Sequence, residues 1–264
     1  MSSLFDCRDE SQLLPGLREA RRAIARGDLV VLPTDTVYGI AADAFNAEAV
    51  QNLLDTKGRG RQSPPPVLVP GVNTLRALAA EIPEPVERLI EEFWPGGLTI
   101  VLPAQPSLSW DLGETHGTVA VRMPANRFAL ELLEDTGPLA VSSANLTGMS
   151  ASVLIDEAQQ YLGDAVSVYL DGGPSDTGIS STIVDATTLV GGETPIVRVL
   201  REGAITRDQL REVLGDLLEP DPGAESDHTA QPGADAEPST DAEPGAEPEP
   251  AVGGEDAVSS DGRA

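Results

Sequence analysis

The sequence predicts an α/β domain built around a largely central sheet. Short apolar runs rich in Val, Ile and Leu recur through residues 1–218, and amphipathic segments of helical period separate them. The two kinds of segment alternate, as they do where helices flank one sheet. No stretch repeats at a solenoid period.

Residues 11–26 read as the first helix, with Leu13, Leu14, Leu17, Ala20 and Ile24 at helical spacing and Gly27 as the stop. Asp28 opens a buried strand, residues 29–32, which Pro33 ends. Asn46 offers its side-chain oxygen to cap a second helix that runs to about Thr56. A short strand at 67–69 follows the Pro64-Pro65-Pro66 break, and helices at 74–80 and 85–93 lead to the Pro95-Gly96-Gly97 turn. Strands are then expected at 98–102, 118–123, 139–142, 166–170, 182–184 and 196–200. Helices are expected at 127–134, 155–162 and 207–214, the last capped by Thr206.

Composition divides the chain near residue 218. Residues 219–264 hold 13 Asp or Glu against one Arg, with repeated Ala-Glu-Pro units and no aromatic residue. Such a segment buries too little apolar surface to offset its ordering entropy, so a disordered acidic tail is expected there, a solvating one ahead of an interaction tail. Residues 1–218 carry 30 acidic and 16 basic groups and are long enough for one domain with a sizeable core. Their net negative charge argues against a broad nucleic-acid-binding face, and aromatics at 3% give few stacking platforms. Cys7 is the only cysteine, which excludes an intrachain disulfide and a cysteine-rich metal site. The N-terminus has no basic region leading into a long apolar stretch, and the apolar runs are far too short to span a bilayer. A soluble cytoplasmic protein without a membrane partner is expected.

Three polar segments interrupt the pattern at strand or helix ends, the places where open α/β sheets hold ligands. Residues 33–39, Pro-Thr-Asp-Thr-Val-Tyr-Gly, bring two hydroxyls, a carboxylate and a phenol into one turn. Residues 57–61, Lys-Gly-Arg-Gly-Arg, hold the only lysine of the 264 residues, although 17 positions are basic. An ammonium is a compact point charge and a guanidinium a planar fork, so the mixture suits a phosphoanhydride. The two glycines allow close backbone approach. Residues 142–148, Ser-Ser-Ala-Asn-Leu-Thr-Gly, could hold a phosphate, a ribose hydroxyl or a base edge. Each segment alone also reads as ordinary turn chemistry.

The chain contains no P-loop, G-x-G-x-x-G, G-x-S-x-G or H-E-x-x-H motif. His116, the one histidine before the tail, lies in a Gly-rich loop. A Ser-His-Asp triad and a zinc site are therefore not expected, and if the chain is an enzyme its chemistry rests on positioning and charge neutralisation.

In order along residues 10–215, the chain reads PTDTVYG (33–39), KGRGR (57–61), WPGGLTIVL (94–102), TVAVRMP (118–124), SSANLTG (142–148), STIVD (181–185) and VLREGAI (199–205). Together these resemble the YrdC family of threonylcarbamoyl-adenylate synthases, in its short single-domain form. The resemblance implies a YrdC-like (DHBP synthase-like) twisted open sheet with flanking helices and a concave ligand site in residues 1–218. It implies a nucleotidyltransferase that joins L-threonine, bicarbonate (or carbon dioxide) and ATP into threonylcarbamoyl-AMP and pyrophosphate. A downstream transferase complex then places the threonylcarbamoyl group on the adenosine beside the tRNA anticodon, so tRNA is an indirect partner.

Position by position, the resemblance assigns Lys57 and Arg59 to catalysis as the K-x-R signature. It assigns Thr36, Arg122 and Ser181 to threonine, and Arg59, Thr118, Ser143, Asn145 and Arg201 to ATP, with Ser143 and Asn145 as the S-x-N signature. Thr34 and Tyr38 shape the wall, and Arg61 and Ser63 are further candidates. Mg²⁺ is expected to arrive with ATP, without a protein metal cage. Common family members follow K-x-R with Asn-Pro-Leu and an apolar pair leading to His, whereas this chain reads Gln62-Ser63-Pro64-Pro65-Pro66-Val67-Leu68-Val69-Pro70 after Arg61. Asn126 stands where a second family His falls, and Ser150-Ala151 replaces a Ser-Pro element. Two other readings are a non-catalytic RNA-binding relative and a carbamoyl-adenylate enzyme serving another acceptor. The acidic body counts against the first, and the absence of fused acylphosphatase-like or zinc-finger segments against the second.

Overall fold

The computed structural model describes residues 2–192 and 194–221. Ten strands form one open mixed sheet in the order β1-β8-β2-β3-β7-β4-β6-β5-β9-β10. They are β1 (Ser3–Asp6), β2 (Val30–Leu32), β3 (Gly39–Asp43), β4 (Val67–Leu68), β5 (Leu98–Pro103), β6 (Thr118–Arg122), β7 (Leu139–Ser143), β8 (Val168–Asp171), β9 (Thr182–Asp185) and β10 (Arg198–Arg201). The α-helices are α1 (Glu10–Ala25), α2 (Ala47–Lys57), α3 (Val72–Leu78), α4 (Glu84–Phe93), α5 (Arg127–Thr136), α6 (Ile155–Leu162) and α7 (Arg207–Leu214).

Helix starts follow local capping chemistry. Asn46 accepts from the Glu48 and Ala49 amides at 3.1 Å each, and Asn126 does the same for Phe128 and Ala129. The residue standing in place of a family histidine is thus the N-cap of α5. Thr206 and Gln209 form a reciprocal capping box on α7. Helix α2 ends at Gly58, whose φ of 62° is the left-handed conformation a C-terminal glycine supplies.

Strand alternation places helices on both faces. Val30 and Leu32 pack with Leu17, Ala20 and Leu132 from α1 and α5, whereas Val31 packs with Leu53 and Ala158 from α2 and α6. A third cluster joins Leu75, Leu89 and Leu210 to Ile100 and Val121 under the other half of the sheet.

Two strands were absent from the sequence reading. β1 has only four residues and pairs with β8 at the edge of the sheet. β3 reads Gly39-Ile40-Ala41-Ala42-Asp43, and glycine and alanine carry weak strand preference. It is held by antiparallel pairing on both sides, to β2 and β7, and small residues suit that close packing. A Cβ on Gly39 would lie 2.6 Å from Val141 Cγ1.

Residues 1–220 make one compact unit. Its backbone pairing runs to Glu219, whose amide donates to Val197 O at 2.9 Å and whose carboxylate accepts from the Val199 amide. The acidic tail expected over 219–264 lies outside the described residues from 222 onward. No helix among the described residues is long and apolar enough to cross a membrane.

Candidate functional site

The three polar segments converge on one cavity of about 320 Å³, within the usual range for small-molecule sites. Of the residues predicted from sequence, Thr34, Thr36, Tyr38, Arg59, Thr118, Arg122, Ser143, Ser181 and Arg201 line it. Lys57, Arg61, Ser63 and Asn145 do not.

Arg122, at the end of β6, is fixed from three sides. Its Nη2 donates to Asp35 Oδ1 at 2.7 Å, Nη1 to Thr36 Oγ1 at 2.8 Å and Nε to Gly96 O at 2.8 Å. Two of its five N–H donors have no partner among the described residues. Asp35 Oδ1 also accepts from the Ala125 amide at 2.9 Å, so the carboxylate is locked with the fork. Thr34 gives its hydroxyl proton to Val37 O, so across the 3.0 Å Thr34–Thr36 contact Thr36 is the donor. The PTDT turn is therefore a support for Arg122. Burial lowers the guanidinium's proton affinity, and Asp35 opposes that fall.

Arg201 reaches the cavity from β10. Its Nε and Nη2 donate to Ser181 O at 3.0 and 2.7 Å, and Nη2 also to Ser181 Oγ at 3.0 Å. Ser181 Oγ lies 2.9 Å from Thr99 Oγ1. Arg59, half-buried, donates from Nη1 to Ser142 Oγ at 3.2 Å. Burial, then the charges of Arg122 and Arg59, push Arg201 below its ordinary value. Arg59 is lowered by burial. The three guanidiniums thus share one concave space in which none of the described lining residues is acidic, Asp35 standing behind Arg122. An anionic ligand relieves that repulsion.

Lys57 sits beneath this surface, 3% exposed. Its ammonium donates to Ser143 O at 2.5 Å and Asn145 O at 2.6 Å, and its own carbonyl accepts from the Thr147 amide at 2.9 Å. Burial, with a smaller contribution from Arg59, lowers its pKa to about 8. Asn145 uses its side-chain amide to staple its own loop, donating to Leu146 O and Met149 O, while its buried Oδ1 has no partner among the described groups. Tyr38 borders the cavity but turns its hydroxyl away, donating to Gly173 O at 2.5 Å. Burial raises that phenol's pKa. Arg61 pairs with Asp111 and Gln51, and Ser63 donates its amide to Gly60 O.

Sequence reasoning passed over several participants. Asp35 was seen only as one carboxylate of a turn, although a carboxylate between two threonines at a strand end is a natural counterion for a buried Arg. Ser142 and Thr99 support Arg59 and Ser181. Leu112 and Thr115 come from a loop that offered no motif. No cluster of three or more His, Cys, Asp or Glu able to hold a metal ion occurs among the described residues.

An open mixed sheet whose loops gather three guanidiniums around one concave cavity defines an α/β protein with a cationic small-molecule pocket. The chain belongs to the Sua5/YciO/YrdC family, whose family model, described as "Telomere recombination", matches residues 22–203. A Mycobacterium tuberculosis protein is 50% identical over 215 residues, covering 81% of this chain and 96% of its own length. The threonylcarbamoyl-AMP synthase of Bacillus subtilis is 34% identical over 77% of this chain and 58% of its own. The crystal structure of Pyrococcus abyssi Sua5 complexed with L-threonine superposes with a TM-score of 0.73 at 32% identity, over 83% of this chain. This chain spans only 63% of that protein's length.

Proposed function

We propose that this chain is a threonylcarbamoyl-AMP synthase, a nucleotidyltransferase that consumes L-threonine, bicarbonate or carbon dioxide, and ATP. The observation that carries the reading is the convergence of Arg59, Arg122 and Arg201 on one concave cavity with a single buried carboxylate behind them. Both the carbamate of threonine and a triphosphate are anions, and the reaction moves negative charge onto pyrophosphate. The threonine amine bonds to the carbon of carbon dioxide and loses a proton to water. A carbamate oxygen then attacks the α-phosphorus, and the α–β anhydride bond breaks with its electrons leaving on pyrophosphate.

Arg122 and Ser181, with Thr36 holding the fork, receive threonine, and the carboxylate takes the two free guanidinium donors. Arg59, Thr118, Ser143 and Arg201 receive ATP, and Asn145 holds the loop that carries Ser143. A unit charge pair at ~4 Å contributes about 4 kcal/mol at an effective dielectric near 20, so Arg59 and Arg201 supply substantial stabilisation to the departing charge. Lys57 adds its charge from beneath and fixes the Ser143–Asn145 loop. Mg²⁺ would arrive with ATP and offset the charge of its phosphates. Residues 1–218 form the catalytic domain, working in the cytoplasm and feeding a transferase that modifies tRNA.

Pyrophosphate release from ATP by the purified protein, with L-threonine and bicarbonate omitted in turn, tests this. Release that requires both supports the synthase. Release without threonine points to another acceptor.

A further inference from the structure

The loop over residues 104–117, between β5 and β6, closes one side of the cavity with Leu112 and Thr115. It is held from outside. The Glu114 amide donates to Arg61 O at 2.8 Å, and Gly113 lies so close that a Cβ would sit 2.6 Å from that oxygen. Gly113, at φ 107°, meets both the spatial and the backbone requirement for glycine. Arg61 Nη2 donates to Asp111 Oδ1 at 2.5 Å and Nη1 to Gln51 Oε1 at 3.0 Å, which ties the loop to α2. The Trp110 and Phe45 rings stack at 5.5 Å beside them. The loop re-enters β6 at Thr118, whose amide and hydroxyl both donate to Thr115 O.

We infer that Arg61 and Asp111 are a positioning pair that latches the Leu112–Thr115 wall against the nucleotide end of the cavity. Arg61 spends its guanidinium on the latch rather than on a phosphate: two of its nitrogens already have partners, and it is not among the cavity-lining residues. The Arg61 hydrogen bond holds the Asp111 carboxyl below the usual range, consistent with a formed pair. Both side chains are nearly half exposed, so the pair is weak enough to open for substrate entry. The inference rests on the proposed synthase reading, in which Thr118 is a nucleotide residue.

The test compares Arg61→Asp, Asp111→Arg and the double reversal Arg61→Asp/Asp111→Arg. KM for ATP and kcat are read from pyrophosphate release, and hydrogen exchange is followed over residues 110–116. Each single reversal is expected to raise KM by at least about two-fold, with kcat little changed and faster exchange in the loop, and the double reversal should restore both in part, since the Gly113 amide still loses Asp111 Oδ1 as its acceptor. A double variant as impaired as Arg61→Asp would overturn the latch, because it would mean that Arg61 acts on the nucleotide itself. Unchanged exchange in Asp111→Arg would overturn it too. If the wild type releases no threonine-dependent pyrophosphate, the synthase reading fails, and the exchange data still decide the latch.

Discussion

The Lys57 ammonium lies 2.6 Å from the main-chain oxygen of Asn145, with Ser143 O at 2.5 Å completing a two-point brace under the loop that leaves β7. One lysine thereby joins the K-x-R and S-x-N segments. Ser142, next to that loop, in turn holds Arg59.

Replacing Lys57 by Met removes the donor from two carbonyls in a buried setting and should destabilise the protein by about 2–4 kcal/mol. Adenylate formation should fall at least about tenfold, because Ser143 and Arg59 lose their placement. Lys57→Arg should not rescue, since a planar fork does not replace a compact ammonium between two carbonyls. Urea unfolding and pyrophosphate release measure both effects, and an unchanged unfolding midpoint in Lys57→Met would refute the brace.

The lowered Lys57 pKa of about 8, caused first by burial and then by Arg59, has opposite signs for activity and stability. kcat/KM should fall as pH rises through about 8, when the ammonium discharges in the free enzyme. Bound ATP favours the charged form, so the corresponding limb of kcat should lie higher. The unfolded lysine binds its proton more tightly than the folded one, so this group's stability contribution rises with pH between about 8 and its unfolded value. A kcat/KM profile flat from pH 7 to about 9.5 would count against the assignment.

Arg122 and Asp35 are a buried ion pair, to which the proposed function adds the binding of threonine. Arg122→Leu leaves the Asp35 carboxylate buried without its cation and should destabilise by about 3–5 kcal/mol, with threonine binding lost. Asp35→Asn keeps an oxygen for the Ala125 amide and should cost less. Thermal melts and threonine titration calorimetry decide, and wild-type threonine affinity in Arg122→Leu would contradict the site.

Gly203 tests how rigid the Ser180–Ser181 side of the cavity is, where the proposed function places threonine. A Cβ there would sit 2.2 Å from Ser180 O and 2.6 Å from Ser181 C, main-chain atoms that cannot swing aside. Gly203→Ala should displace the Ser180–Ser181 segment, raise KM for threonine and cost about 1–3 kcal/mol. Steady-state kinetics against threonine would reveal it.

Most elements were legible because their signals are local: Asn46 and Thr206 cap their helices as read, and Val30–Leu32 is a plain apolar run. β3 was not, since Gly39, Ala41 and Ala42 owe their strand conformation to neighbours on either side rather than to propensity. The cavity's cations were legible as motifs, but the direction of each side chain was not. Lys57 turns inward to Ser143 and Asn145, and Arg61 turns to Asp111, an arrangement set by two loops distant in sequence. Asp35 required knowing that β6 delivers Arg122 to the PTDT turn.

Following the carbon atom decides whether this protein makes threonylcarbamoyl-AMP. Purified protein is incubated with ¹³C-bicarbonate, L-threonine and ATP, and the adenylate product is weighed by mass spectrometry. The expected product is an AMP adduct carrying threonine and one labelled carbon, absent in Arg59→Ala. An adduct lacking the label, or AMP release with no adduct in the folded wild type, would contradict the proposed function.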